Sequence, residues 1–141
     1  MRELAALLSR DISHIWGERE GCPNGDKKVF LTTGKTFLRA LAKDLGLQEY
    51  KVSGNPGGIA VCGDCSLIGM WGSSGIYIMI SQPTFAKESM VLYRTVQHIR
   101  DYSGGTNCYL PRNGLRTMSY KQMLDVFLTL RKDGASYERA A

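Results

Sequence analysis

Apolar positions change their period twice along this 141-residue chain. Leu4, Leu7, Leu8, Ile12, Ile15 and Trp16 recur at three-and-four spacing, with Arg2, Arg10 and Ser13 off the stripe. That predicts an amphipathic helix ending near Trp16-Gly17. Residues 17–28 combine charge with turn formers and carry no apolar period, so a loop is expected there. After the short run Val29-Phe30-Leu31, helical spacing resumes at Phe37, Leu38, Leu41 and Leu45. A second helix is expected over 35–45, with Thr33 or Thr36 as its N-cap and Gly46 as its stop.

From 48 to 110 the pattern turns to short runs of Ile, Val and Tyr between clusters of Gly, Asn, Pro and Ser. Strands are expected near 48–53, 58–62, 66–71, 75–81, 89–96 and 106–110, joined by links mostly too short for parallel crossovers and therefore antiparallel. Residues 75–81 are the most apolar and are expected at the centre of the sheet. Ser119 and Gln122 have the spacing of a capping box, flanked by Met118 and Met123 as a hydrophobic staple. The helix they open should bury Met123, Leu124, Phe127 and Leu130, carry Arg131 and Lys132 in its last turn and close at Gly134. A frayed tail is expected from about 135. The fold class expected is α+β, one domain over 1–141. It is an antiparallel β-meander of five to six strands, with two N-terminal helices and one C-terminal helix packed on one face.

Composition narrows the setting. With 43% hydrophobic and 22% charged residues the chain can bury a core, and no apolar run approaches the roughly 20 residues of a membrane span. Charges interrupt the first eleven residues, which do not read as a secretory signal, so a cytoplasmic protein with reduced cysteines is expected. Eighteen basic against thirteen acidic side chains leave +5, which favours an anionic partner.

Most local motifs resolve into structural readings. Gly34-Lys35-Thr36 resembles the end of a phosphate-binding loop, but position 29, where that loop requires glycine, is Val. What remains is a helix start whose amides and Lys35 could hold an isolated anion, and a solvated helix start is the preferred reading. Cys62-Gly-Asp-Cys65 has the spacing of a zinc knuckle, yet a closed site needs two more ligands from Cys22, Cys108, His14 and His98, and strong signatures pair two knuckles. A tight hairpin is the preferred reading, with no cofactor and no metal. Cys108, His98 and Asp101 are the only set resembling a nucleophile, a base and its orienter, and no glycine-flanked nucleophile elbow accompanies them.

The segment from Arg94 to Lys121 stands apart. It holds Arg94, Arg100, Arg112, Arg116 and Lys121 against Asp101 alone, which is +4 of the net +5. Arginines bring forked donors, His98 and Tyr102 offer stacking surfaces, and Gly104-Gly105 permits close backbone approach. Arg94, His98, Arg100, Tyr102, Arg112 and Arg116 are the expected partner-binding residues.

Asn55-Pro-Gly-Gly-Ile-Ala-Val-Cys-Gly-Asp64, Ile76-Tyr-Ile-Met-Ile-Ser-Gln82, Val91-Leu-Tyr-Arg94, Asp101-Tyr-Ser-Gly-Gly-Thr-Asn107 and Leu110-Pro111 resemble small proteins encoded by phages and mobile elements. The resemblance covers roughly 55–111 and transfers no activity or site residue. It implies a context: compact basic proteins of this kind often modulate a host machine, as anti-CRISPR proteins do. The function expected is that of a non-enzymatic binding protein in a bacterial cytoplasm. It would inhibit a host defence protein or ribonucleoprotein complex by laying a basic face on a nucleic-acid site or an acidic protein surface. Direct binding of nucleic acid or a signalling nucleotide, with the 98–107 loop as a pocket lip, is the alternative, and a small enzyme using Cys108 or His98 is another. Pairing with a second copy through an apolar edge around Trp71 and Ile76–Ile80 is also open.

Overall fold

The structure is a computed structural model that describes residues 4, 24–55, 63–81, 90–101, 105–110 and 117–131. Among them run helix α1 (Asn24–Asp44), strands β1 (Glu49–Asn55), β2 (Asp64–Met70), β3 (Gly75–Ser81), β4 (Met90–Val96) and β5 (Cys108–Tyr109), and helix α2 (Tyr120–Leu128).

Helix α1 begins at Asn24, not at residue 35, and absorbs the end of the expected loop and the Val29-Phe30-Leu31 run. The reason lies at Gly34. Phe30, Gly34, Leu38, Leu41 and Leu45 form one buried stripe at helical spacing. Glycine in mid-helix costs about 1 kcal/mol against alanine, and so reads as a breaker. Here it is the point of closest approach: a Cβ at position 34 would lie 2.8 Å from the Cys65 Sγ and 3.3 Å from the Ile80 Cδ1. Thr33 and Thr36 therefore cap nothing, and the Thr36 hydroxyl donates back to the Thr32 carbonyl. Gly46 does end the helix, with φ +74°. Its N–H donates to the Lys43 carbonyl at 3.0 Å and that of Leu47 to the Ala42 carbonyl at 3.2 Å, the paired bonds of a Schellman stop.

Two helices with defined ends are described, not three. Of the expected first helix, Leu4 is described; it is helical and buried in the core. Residues 5–23 lie outside the described residues, as does the expected strand 58–62.

The sheet is a five-stranded antiparallel meander in the order β1-β2-β3-β4-β5. β3 lies at its centre as its apolarity predicts, which leaves no free edge along Ile76–Ile80. Trp71, just past β2, is 1% exposed and donates its indole N–H to the Leu45 carbonyl at 2.7 Å. A second copy therefore has no apolar edge to pair with there; the outer strands are β1 and β5.

Alternation in the strands separates two faces. Cys65 and Leu67 of β2, Ile76, Ile78 and Ile80 of β3 and Val91 of β4 face the helices and form the main core. Both helices lie on this side: α1 through Gly34 over Cys65, α2 through Phe127, whose ring meets that of Tyr93 edge-on at 5.3 Å. The helices also meet each other. Phe37 and Tyr120 stack edge to face at 6.4 Å, and the Tyr120 hydroxyl donates to the Asp44 carboxylate. Ser119 and Gln122 form the expected capping box, and Met123 and Phe127 are buried. The helix is shorter than expected, ending at Leu128 with Thr129 as its C-cap. Arg131 thus falls beyond the last turn, and Gly134 lies outside the described residues. The reverse face of the sheet carries a smaller cluster of Ile68, Met70 and Val96, with Tyr77 and Ile99 packed against it.

Candidate basic binding face

Arg94 is the first residue of the expected binding set, and it points inward. On β4 it stands opposite Tyr77, is 3% exposed, and places its guanidinium carbon 4.8 Å from the centre of the Tyr77 ring. One nitrogen donates to the Thr95 carbonyl at 3.3 Å and the other to that of Asp101 at 3.0 Å. A buried guanidinium needs such acceptors, because an unsatisfied charge is costly away from water. Arg94 is thus the floor of the loop after β4 and is withdrawn from the exposed basic face the sequence suggests.

The loop folds back on Asp101. Its carboxylate accepts from the Gln97 N–H at 3.0 Å, and its own N–H donates to the His98 carbonyl at 3.0 Å. Ile99 packs against the reverse-face cluster, while His98 and Arg100 on either side of it are exposed. Gly105 closes the loop at φ +78°, where a Cβ would come within 2.8 Å of the Thr95 carbonyl oxygen. Tyr102, Arg112 and Arg116 lie outside the described residues.

His98, Asp101 and Cys108 each bond a near neighbour in the chain. The His98 Nδ1 accepts from the Arg100 N–H at 3.2 Å, Asp101 serves Gln97, and the Cys108 thiol donates to the Thr106 carbonyl at 3.7 Å. Each of these side-chain bonds goes to a residue outside the set.

Cys65, the described half of the Cys62/Cys65 pair, faces the core beneath Gly34. Burial, and then the Asp64 charge, push its thiol up to about 11 against an opposing pull from Lys35. A thiol held protonated is a poor metal ligand. Among the described residues no group of three or more His, Cys, Asp or Glu side chains could hold a metal ion.

The Gly34-Lys35-Thr36 motif lies in the middle of α1, so no helix-start amides are present there to receive an anion. Lys35 instead belongs to a feature the sequence pattern hid. Lys28, Lys35, Arg39 and Lys43 fall within about an 80° arc of α1 and extend about 22 Å along it. Lys28, Arg39 and Lys43 are exposed, as are Thr32 and Thr36 between them. Lys35, half-buried at the border with β1, lays its stem over Gly54, where a Cβ would stand 3.4 Å from the Lys35 Cδ. Among the described residues no acidic side chain lies on this arc; Asp44 is on the flank that meets Tyr120. The signal was readable as basic residues at helical spacing, but only once the helix is known to run through Gly34.

Comparison with protein-family models, with curated proteins and with solved structures finds no match to this chain.

Proposed function

We propose that this is a non-enzymatic binding protein that engages an anionic macromolecule through a basic face. The observation that carries the reading is the arc of Lys28, Lys35, Arg39 and Lys43 on the solvent side of α1, a helix anchored to the sheet by its opposite side. A line of cations on a rigid support raises the local concentration of an anionic partner without a catalytic group. The separate local roles of His98, Asp101 and Cys108 favour binding over catalysis.

The resemblance over residues 55–111 supplies a setting, inhibition of a host defence complex. A nucleic-acid site on such a complex is itself basic and would repel this face, so charge favours the complex's nucleic acid or an acidic protein surface as the point of contact.

The test is a pull-down from bacterial lysate with the tagged protein, with and without nuclease, comparing the wild type with the triple variant K28Q/R39Q/K43Q. The expected result is a stoichiometric partner, protein or nucleic acid, held by the wild type and lost by the variant. Retention that is identical in the two proteins would overturn the reading.

A further inference from the structure

We infer that the α1 arc is a site for the phosphodiester backbone of a duplex nucleic acid, bound without regard to base sequence. This deepens the proposed function by naming the chemistry of the anion, and it rests on that reading.

Three properties of the arc select a duplex. The first is shape: four cations are held within an arc of about 80° along about 22 Å of one helix, and a duplex is a straight rod presenting one negative charge per about 1.7 Å of its axis. The second is the kind of cation. Three of the four are lysines, point charges that donate to a phosphate oxygen from any direction and so suit contacts that do not read the bases. The third is the company they keep. Single strands are held largely by stacking of bases on aromatic rings, and the arc carries none: Thr32 and Thr36 are its intervening side chains. Of the two aromatic residues in this stretch of α1, Phe30 is buried in the core and Phe37 is turned to Tyr120 on the flank. Hydroxyls and cations contact phosphate and sugar, which position a duplex and carry no sequence information.

Gly54 contributes from β1. Its missing side chain leaves room beside the strand for the Lys35 stem, whose Cδ and Cε would stand 3.4 and 3.6 Å from a Cβ there.

The experiment is fluorescence anisotropy of the full-length protein with a labelled duplex of random sequence, about 20 base pairs long, between 50 and 200 mM salt. Each phosphate contact contributes about 0.9 to the slope of log K against log salt. The triple variant K28Q/R39Q/K43Q should therefore flatten the wild-type slope by about 2.7, while the charge-conserving K28R/R39K/K43R keeps it. Duplexes of different sequence should bind alike, and the single strand more weakly. Far-UV circular dichroism and the urea midpoint of both variants should match the wild type, since all three positions are exposed. Preference for the single strand, a slope unchanged in the triple variant, or no duplex binding at 50 mM salt would each overturn the inference. If the duplex fails to bind while a nuclease-resistant protein partner still depends on the three residues, the inference falls and the broader reading stands. If neither depends on them, both fall.

Discussion

Gly34 shows how much can depend on a missing side chain. Alanine there would gain about 1 kcal/mol in helix propensity but would thrust its Cβ to 2.8 Å from a buried sulfur. Overpacking of that kind costs about 1–3 kcal/mol, so Gly34→Ala should destabilise the protein, and the loss should shrink or reverse in a Cys65→Ala background. Urea denaturation of the four proteins of that double-mutant cycle measures the coupling. Stabilisation by Gly34→Ala in the wild-type background would show that helix and strand do not meet there. Cys65 carries a second signature. With its thiol pushed up to about 11, the folded protein keeps a proton that the unfolded chain releases from about pH 9 upward. Stability from this group is complete below about pH 9 and is lost as pH rises toward 11; Cys65→Ala should remove that part of the alkaline slope. Arg94 is the residue whose type misled the sequence reading most, because a basic side chain among other basic side chains looks like surface. Stacked on Tyr77 and bonded to two carbonyls, it holds the loop after β4 from within. Arg94→Met should lower stability by roughly 2–3 kcal/mol, and Arg94→Lys should recover little, since a lysine cannot reach both carbonyls with one fork. An unchanged melting point in Arg94→Met would return the side chain to the surface.

At the scale of elements, legibility followed the strength of local chemistry. The capping box of Ser119 and Gln122 was visible because two side chains three apart satisfy each other's backbone, and the structure contains both bonds. Ser119→Ala should cost about 1 kcal/mol, read as a fall in the urea midpoint. The meander was visible for a similar reason: turn residues at hairpin distances leave few topologies, and β1 to β4 fall within a few residues of where alternation places them. Ends were harder. α2 stops at Leu128 because the Leu130 and Arg131 N–H groups bond three residues back, to Phe127 and Leu128, a tightening that no residue type announces. The first half of α1 is not legible locally, since the neighbour that requires glycine at 34 comes from a strand 31 residues away, and no local window contains it. The contact between α1 and α2 was equally out of reach. Tyr120 and Asp44 are 76 residues apart, and burial with that hydrogen bond pushes the tyrosine above its ordinary range.

For the whole molecule, charge is the quantity that matters, and its total was plain while its placement was not. The net +5 is a property of composition, and counting along the chain assigned most of it to residues 94–121. Folding redistributes it: Arg94 goes inside, Lys121 pairs with Asp125 at 3.3 Å on the exposed side of α2, and His98 and Arg100 remain at a loop tip. Among the described residues, Lys28, Lys35, Arg39 and Lys43 of α1 share a face, which linear counting dilutes with Asp26 and Asp44. Periodicity, once α1 is given its full length, brings them together. Elution of the full-length protein from immobilised heparin, a generic polyanion, tests this placement most directly. The wild type and Arg100→Gln should leave the column at closely similar salt concentrations, and K28Q/R39Q/K43Q at a clearly lower one. Co-elution of the triple variant with the wild type would contradict a binding face on α1.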